Sequence, residues 1–395
     1  MLRLGVAGLG KAFVLMLPGL TAHPAVKLVA AADPRPEARQ RFAADFGATT
    51  YADVESLAAD PAVDAIYVAS PHEFHARHVC IAAARGKHVL VEKPMALSIA
   101  ECQSMIEAAR KNRVHIVVGH SHSFDAPIAR TRALIESGAF GLLHMITAIN
   151  FTDFLYRPRR PEELRTEAGG GVIYNQAPHH IDMLRLLAGT RIKSVRAMTG
   201  AWDETRQTEG AYAALLTFED GVFASITYSG YAHFDSDEFM DWIAESGYPK
   251  SPGQFAATRA ALVQAPNDEQ HLKQTRNYGG AEQPRAPQGE LWHQQFGPLI
   301  ASCTRADLRP VPKGVIIHTG SGRHLEPLEV PAIPRQAVID ELHAAVFDDV
   351  PPLHDGVWGM ATMQVCLAML QSAREGHEIF LEHQGELREK SGGST

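Results

Sequence analysis

The chain has 395 residues, more than one ordinary hydrophobic core organises, so two domains are expected. Hydrophobic residues at 45% and charged residues at 21% are the balance of a soluble globular protein rather than a disordered or fibrous one. A net charge of −8 argues against a nucleic-acid partner, which needs a basic stripe, and no apolar run reaches the ~18 residues of a membrane span.

In chain order, LRLGVAG (2–8), KLVAAAD (27–33), DAIYVAS (64–70), KHVLVE (87–92) and VHIVVG (114–119) are short apolar runs separated by helical stretches. Runs apolar on both faces that alternate with helices predict a parallel sheet covered on two sides, over residues 1–122. Ligands of such sheets bind outside the carboxyl ends of the strands. The first strand end reads GLGKAF (8–13). Gly8 permits a tight turn, and Gly10 with Lys11 beside it lets a pyrophosphate approach a helix N-terminus. Phe13 stands where the usual fingerprint has its third glycine. Asp33 closes the second run 25 residues after Gly8, near the spacing of a ribose-binding carboxylate, which favours NAD. Arg35 can accept a 2′-phosphate, so NADP is not excluded, and a helix-capping Asp33 is the plainer alternative.

The fourth run ends in VLVEKPMAL (89–97), which sets Glu92, Lys93 and Pro94 on the ligand-facing edge of the sheet. An ammonium there loses solvation and its pKa falls, so it can take the proton of a substrate hydroxyl while hydride leaves the neighbouring carbon. Pro94 restricts Lys93 to extended conformations. A surface ion pair capping the next helix is the competing reading.

Together with SPHEFH (70–75), GKHVLVEKP (86–94) and GGGVIYNQAPHHID (169–182), this order and spacing resembles the glucose–fructose oxidoreductase/inositol dehydrogenase/MocA (Gfo/Idh/MocA) family over roughly the first 190 positions. The resemblance implies a Rossmann domain followed by an α/β domain, here 123–390, with a large open, mainly antiparallel sheet. It also implies that Ser70, Pro71, His75 and Glu92 lie along the cofactor. Lys93 would touch both nicotinamide ribose and substrate, and His179 would lie across the substrate with His180 beside it. The residues themselves add detail. Three glycines at 169–171 suit a sharp bend, and Ala177–Leu187 reads as a helix stopped by Gly189. His179 and Asp182 share a helix face, so a carboxylate can orient the imidazole. The family usually has an acid four positions before this histidine. Here it is Asn175, which hydrogen-bonds but accepts no proton, so the relay of the polyol dehydrogenases is in doubt.

NFTDFLYRPRRPEEL (150–164) bears on the substrate. Arg157, Arg159 and Arg160 follow Phe151, Phe154 and Tyr156, which sets forks for carboxylates beside rings for a planar body. The alternative is a solvated loop whose arginines pair with Glu162 and Glu163. His120 and His122 of GHSHSF point to the same region; H-x-H hints at a metal, but no third ligand is evident and none is expected. With GLGKAF, VGHSHSFDAPI and YSGYAHFDSDE, these stretches resemble the 4,5-dihydroxyphthalate dehydrogenase branch of the family. That implies oxidation by NAD of the cis-4,5-dihydrodiol of phthalate, an anionic cyclic diol. A sugar or inositol-type dehydrogenase of the same fold is the alternative. A non-catalytic NAD-sensing regulator is another, and the presence of both Lys93 and His179 counts against it.

Further on, 194–230 reads as antiparallel strands with a D-G turn at 220–221. Residues 235–295 are polar and read as an insertion of helices and loops without an assigned role. Strands near 314–319 and 323–330 and helices near 334–348 and 357–375 close the fold, and SGGST at the end reads as disordered. The open sheet predicts a homodimer or homotetramer through its outer face. Cysteines 80, 102, 303 and 366 form no C-x-x-C pair, and MLRLGVAG lacks the layout of a signal peptide, so a cytoplasmic, reduced protein is expected.

Overall fold

The computed structural model describes residues 1–264, 269–281, 289–382 and 384, so the terminal SGGST lies outside the described residues. The five apolar runs become strands β1 (Leu2–Ala7), β2 (Val26–Ala32), β4 (Ala65–Val68), β5 (His88–Val91) and β6 (Ile116–Val118), with a short edge strand β3 (Thr49–Tyr51) not foreseen from the sequence. They form a parallel sheet of order 3-2-1-4-5-6. Val6, Ile66, Val68, Val89 and Val91 are buried because helices cover both faces. The order reverses next to β1, and the ends of β1, β4 and β5 open into one crevice there.

The second sheet begins with β7 (Leu143–Phe151), followed by β8 (Ile192–Gly200), β9 (Ala211–Phe218), β10 (Phe223–Ser229), β11 (Leu299–Cys303), β12 (Ala306–Val311), β13 (Gly314–Thr319), β14 (Gly322–Pro327) and β15 (Ile379–Phe380). Its order is 14-13-12-11-7-10-9-8-15, and every pairing is antiparallel except β7 with β10. Helices Ala126–Glu136, Ala177–Ala188 and Gly356–Glu375 lie on its inner side. Met198, Leu215, Phe223, Ile300 and Leu325 are exposed on its other side. No helix among the described residues is long and apolar enough to cross a membrane.

Two segments tie the halves together. Helix Gln336–Phe347 packs against helix Lys11–Ala22, with Val338, Ile339 and Leu342 in one core with Phe13 and Leu20. Although it lies in the second half of the sequence, it therefore belongs to the packing of the first sheet. Gly19 makes that approach possible, since a Cβ there would sit 2.2 Å from the Pro334 carbonyl oxygen. The polar 235–295 segment supplies helices Gln254–Gln264 and Glu269–Thr275 and then lays Tyr278 on the nucleotide side, ring centroids 5.2 Å from Phe13 and 6.2 Å from Phe42. The Tyr278 hydroxyl donates to Asp45 at 2.6 Å, which docks the insertion on the first domain.

Candidate active site in the crevice between the domains

A cleft of about 730 Å³ runs from Gly8, Asp33 and Asp53 to His120, His179 and Glu245. At the nucleotide end Gly8 has φ +96, and a Cβ would meet Ser70 backbone at 2.8 Å, so strands β1 and β4 approach as only glycine allows. Nothing lies within 4 Å of a Cβ on Gly10, which leaves bare backbone at the start of helix Lys11–Ala22. Asp33 accepts from Leu9 N at 2.8 Å, and Arg35 forks it at 2.9 and 3.0 Å while also donating to Leu9 O. Lys11, Ser70, Pro71 and Glu92 line the same cleft.

Two residues expected along the cofactor stand behind it. Phe13 is wholly buried between Phe42 and Tyr278 and does not reach the cleft, because its helix position faces the core. His75 is also fully buried, with Nδ1 2.9 Å from Pro94 O and Nε2 2.9 Å from Ser70 O. It clamps the Ser70 loop to the Lys93–Pro94 turn and touches neither end of the cleft.

The Glu-Lys-Pro turn divides its charges. Glu92 points back into the sheet and accepts from the buried Tyr67 hydroxyl at 2.5 Å. Lys93 faces the cleft, and its Nζ donates to the backbone carbonyl of Asn175 at 2.8 Å. Burial pulls the Lys93 ammonium down to about 8, with Glu92 and Glu245 acting in the opposite direction. The Asn175 side chain does something else. Its Nδ2 donates to Gly169 O at 3.2 Å and Gly171 O at 2.8 Å, closing the triple-glycine bend. Asn175 thus offers the cleft its carbonyl, where the family's acid would offer a carboxylate.

His179 stands across from Lys93, 4% exposed, its ring 4.8 Å from both His122 and Phe296. Burial, reinforced by the charges of Lys93 and His122, holds it neutral well below the usual histidine range, and its Nδ1 has no partner. The expected orienting role of Asp182 is corrected. That carboxylate accepts from Trp358 Nε1 at 3.2 Å and from the Thr362 hydroxyl, on the helix behind. Sharing a helix face did not bring the two together because the later helix Gly356–Glu375 supplies better donors.

His122 is an ion-pair centre. Nδ1 bonds Asp125 at 2.6 Å and Nε2 lies 3.5 Å from Glu245. Burial opposes its charge, but the two carboxylates outweigh that and raise it to about 9. Glu245 is held down to about 2 against burial, by His122 and Arg157. His120 is 4% exposed and lines the cleft, yet neither ring nitrogen has a hydrogen-bond partner. The third ligand that H-x-H lacked in the sequence does exist, since Asp125 groups with His120 and His122, and Glu245 with His122 and His179. Lys93 and Arg157 flank the second group and their field opposes a dication, so we assign it no metal.

His180 and Tyr156 do not line the cleft. His180 bonds the Tyr212 hydroxyl at 2.8 Å beneath the site, and Tyr156 donates to Asp203 at 2.8 Å. Arg157, Arg159 and Arg160 do line it; Arg157 and Arg160 are paired with carboxylates of the protein, whereas the Arg159 Nε is buried without a partner. Arg157 donates to Asp153 at 2.8 Å, and Arg160 to Glu73 at 2.9 Å. Arg159 donates to Phe154 O at 2.7 Å with its guanidinium 3.7 Å above the Phe154 ring. The pairing foreseen as the alternative is present in part, because Arg160 Nε lies 3.6 Å from Glu163, which Lys273 also engages. Sequence reasoning missed Glu245, His72 and Arg335, all of which line the cleft. Glu245 sits in the unassigned insertion and Arg335 beside a proline-rich connection, and neither carries a local motif.

Comparison with known proteins agrees with this architecture. Residues 2–120 match the oxidoreductase family model described by its NAD-binding Rossmann fold, and 128–247 match the GFO/IDH/MocA C-terminal domain. The chain is 45% identical, over 94% of its length and 95% of the relative's, to 1-carboxy-3-chloro-3,4-dihydroxycyclohexa-1,5-diene dehydrogenase of Comamonas testosteroni. It is 28% identical to myo-inositol 2-dehydrogenase of Thermotoga maritima, over 62% of this chain and 71% of that one. A solved structure from Bordetella bronchiseptica RB50, described as a dehydrogenase, superposes with TM-score 0.91 at 42% identity, covering 96% of this chain and 99% of that one. With an NAD-binding crevice facing a half-buried lysine and a neutral histidine, the chain belongs to the Gfo/Idh/MocA family of oxidoreductases.

Proposed function

We propose that this oxidoreductase oxidises a carboxylated cyclohexadiene cis-diol to the corresponding catechol, with the cis-4,5-dihydrodiol of phthalate as its substrate. The observation that carries the reading is Lys93, its Nζ fixed by Asn175 O opposite a neutral His179 in a cleft rimmed by arginines. The bare Gly8 and Gly10 backbones and the Asp33 carboxylate fit pyrophosphate and ribose of NAD.

Bound NAD supplies the acceptor for a hydride from one carbinol carbon. Lys93, neutral above about pH 8, takes the proton of the hydroxyl on that carbon, which leaves a ring ketone. The remaining carbinol carbon then gives up its hydrogen as a proton, and the ketone oxygen gains one, so the ring becomes aromatic with no further oxidant. We assign that transfer to His179, whose Nδ1 is without a partner. Aromatisation drives this second step, which is why a carboxylate at position 175 is dispensable. The substrate panel that tests the reading is the phthalate dihydrodiol beside myo-inositol and glucose, followed as reduction of NAD. Turnover confined to the polyols would leave fold and cofactor intact and remove the substrate assignment.

A further inference from the structure

Of the arginines that sequence reasoning assigned to substrate carboxylates, Arg157 and Arg160 are ion-paired with the protein, and Arg159 is held over the Phe154 ring with one bond to the Phe154 carbonyl. A different cation faces the same cleft uncommitted. Arg335 lines it, and among the described residues its guanidinium has no hydrogen-bond or ion-pair partner. Its φ is +56, a left-handed conformation that side chains with a Cβ rarely adopt. That backbone is held from both sides. Pro334 abuts Gly19 in helix Lys11–Ala22, and Val338 and Ile339 are buried one turn further on. The strain persists where the packing over-determines it, and the result is a charge aimed into the crevice from the far end of the chain.

His120 gives the second, independent observation. It is 4% exposed, lines the cleft, and leaves both ring nitrogens without a hydrogen bond. The nearest carboxylate oxygen, on Asp125, is 3.6 Å away, and Asp125 is committed to His122 at 2.6 Å. A buried imidazole with no partner is costly unless a ligand completes it. Arg335, His120, His179 and Lys93 all line this one cleft.

We propose that Arg335 and His120 form a carboxylate subsite that holds the ring acid of the substrate while Lys93 and His179 address its diol. The guanidinium supplies a planar fork for the two carboxylate oxygens, and a His120 N–H supplies a third donor. Arg157 and Arg160, paired with Asp153 and Glu73, then shape the loop and its charge rather than gripping the ligand. The proposal rests on the reading of the chain as a dehydrogenase of carboxylated diols, and its test separates the two.

Binding of phthalate to the protein saturated with NADH, measured by calorimetry, needs no turnover. Arg335→Gln is expected to weaken phthalate binding on the order of 10²-fold and leave NADH affinity unchanged. Arg335→Gly is expected to do the same while keeping the fold, because glycine suits φ +56. His120→Phe, which keeps the ring and removes both nitrogens, is expected to weaken it by ~10-fold. In kinetics, Arg335→Gln raises KM for a carboxylated dihydrodiol and leaves the KM of an uncharged cis-dihydrodiol where it was. Unchanged phthalate affinity in both Arg335 variants, or a wild-type protein that binds no phthalate, overturns the subsite. Arg335-dependent phthalate binding without oxidation of any dihydrodiol leaves the subsite standing and removes the proposed reaction.

Discussion

The two ends of the cleft are built in different ways. The nucleotide end is made of backbone: a glycine turn at Gly8, a bare helix start at Gly10, and strand ends within a stretch of ~70 residues. The other end, where we propose that the substrate binds, is lined by side chains drawn from Lys93, His122, His179, Glu245 and Arg335, which span most of the chain. The first depends on local conformation, and so on residue types at fixed spacing. The second depends on which charges find which partners after folding. Evolution can therefore exchange the substrate end without disturbing the cofactor end, and Asn175 shows how: its carbonyl still orients Lys93 while its side chain is spent on the glycine bend.

The sharpest way to separate the two ends is Lys93→Ala. It is expected to lower kcat for diol oxidation by at least ~10³-fold, within the range for a lost general base, with NADH binding by fluorescence titration nearly unchanged. Equal loss of cofactor affinity would show that the ends are not independent. Asn175→Ala leaves the buried Gly169 and Gly171 carbonyls without their donor and is expected to cost about 1–3 kcal/mol in urea unfolding. Asn175→Asp removes the same donors and adds a buried charge, so it should be less stable still and no faster. A gain in rate from Asp would mean that a carboxylate relay is wanted after all.

The pH dependence follows from the proposed role of Lys93, which as a base must be neutral to accept a proton. With its pKa lowered to about 8, kcat/KM for oxidation should climb as pH rises toward 8 and level off above it. A profile flat from pH 6 to 9 would disagree. The smallest effect belongs to the imidazolium network. His122 has its pKa raised to about 9, so its pairing stabilises the fold fully below about pH 6.5, and that part is lost as pH rises through 9. Glu245→Gln removes one of its carboxylates, which should lower the His122 pKa by NMR titration and flatten the fall of Tm between pH 6.5 and 9.

The same contrast explains what could be read from the sequence. The parallel sheet, the cofactor turn and Lys93 were legible because strand period, glycine and proline act locally. β3 and β7 were not, the first being three residues long and the second running straight into the arginine loop without a turn signal. Phe13, His75, His180 and Tyr156 belong to the right neighbourhoods but stand one layer behind the cleft, and spacing alone carries no information about which layer a side chain reaches. Asp182 was drawn to Trp358 and Thr362 by a helix more than 170 residues away. Glu245 and Arg335 had no signal at all, since each is a single charge brought in by tertiary packing.

The central claim is that Lys93 takes the hydroxyl proton of a carboxylated cis-diol while hydride leaves the same carbinol carbon for the nicotinamide. It is tested most directly with phthalate cis-4,5-dihydrodiol deuterated at both carbinol carbons, following the fate of the label in a single turnover. The account predicts one deuterium in the reduced nicotinamide, a primary isotope effect on its formation, and an aromatic catechol as product. Reduced nicotinamide without deuterium, or no reduction where myo-inositol is oxidised readily, would contradict it.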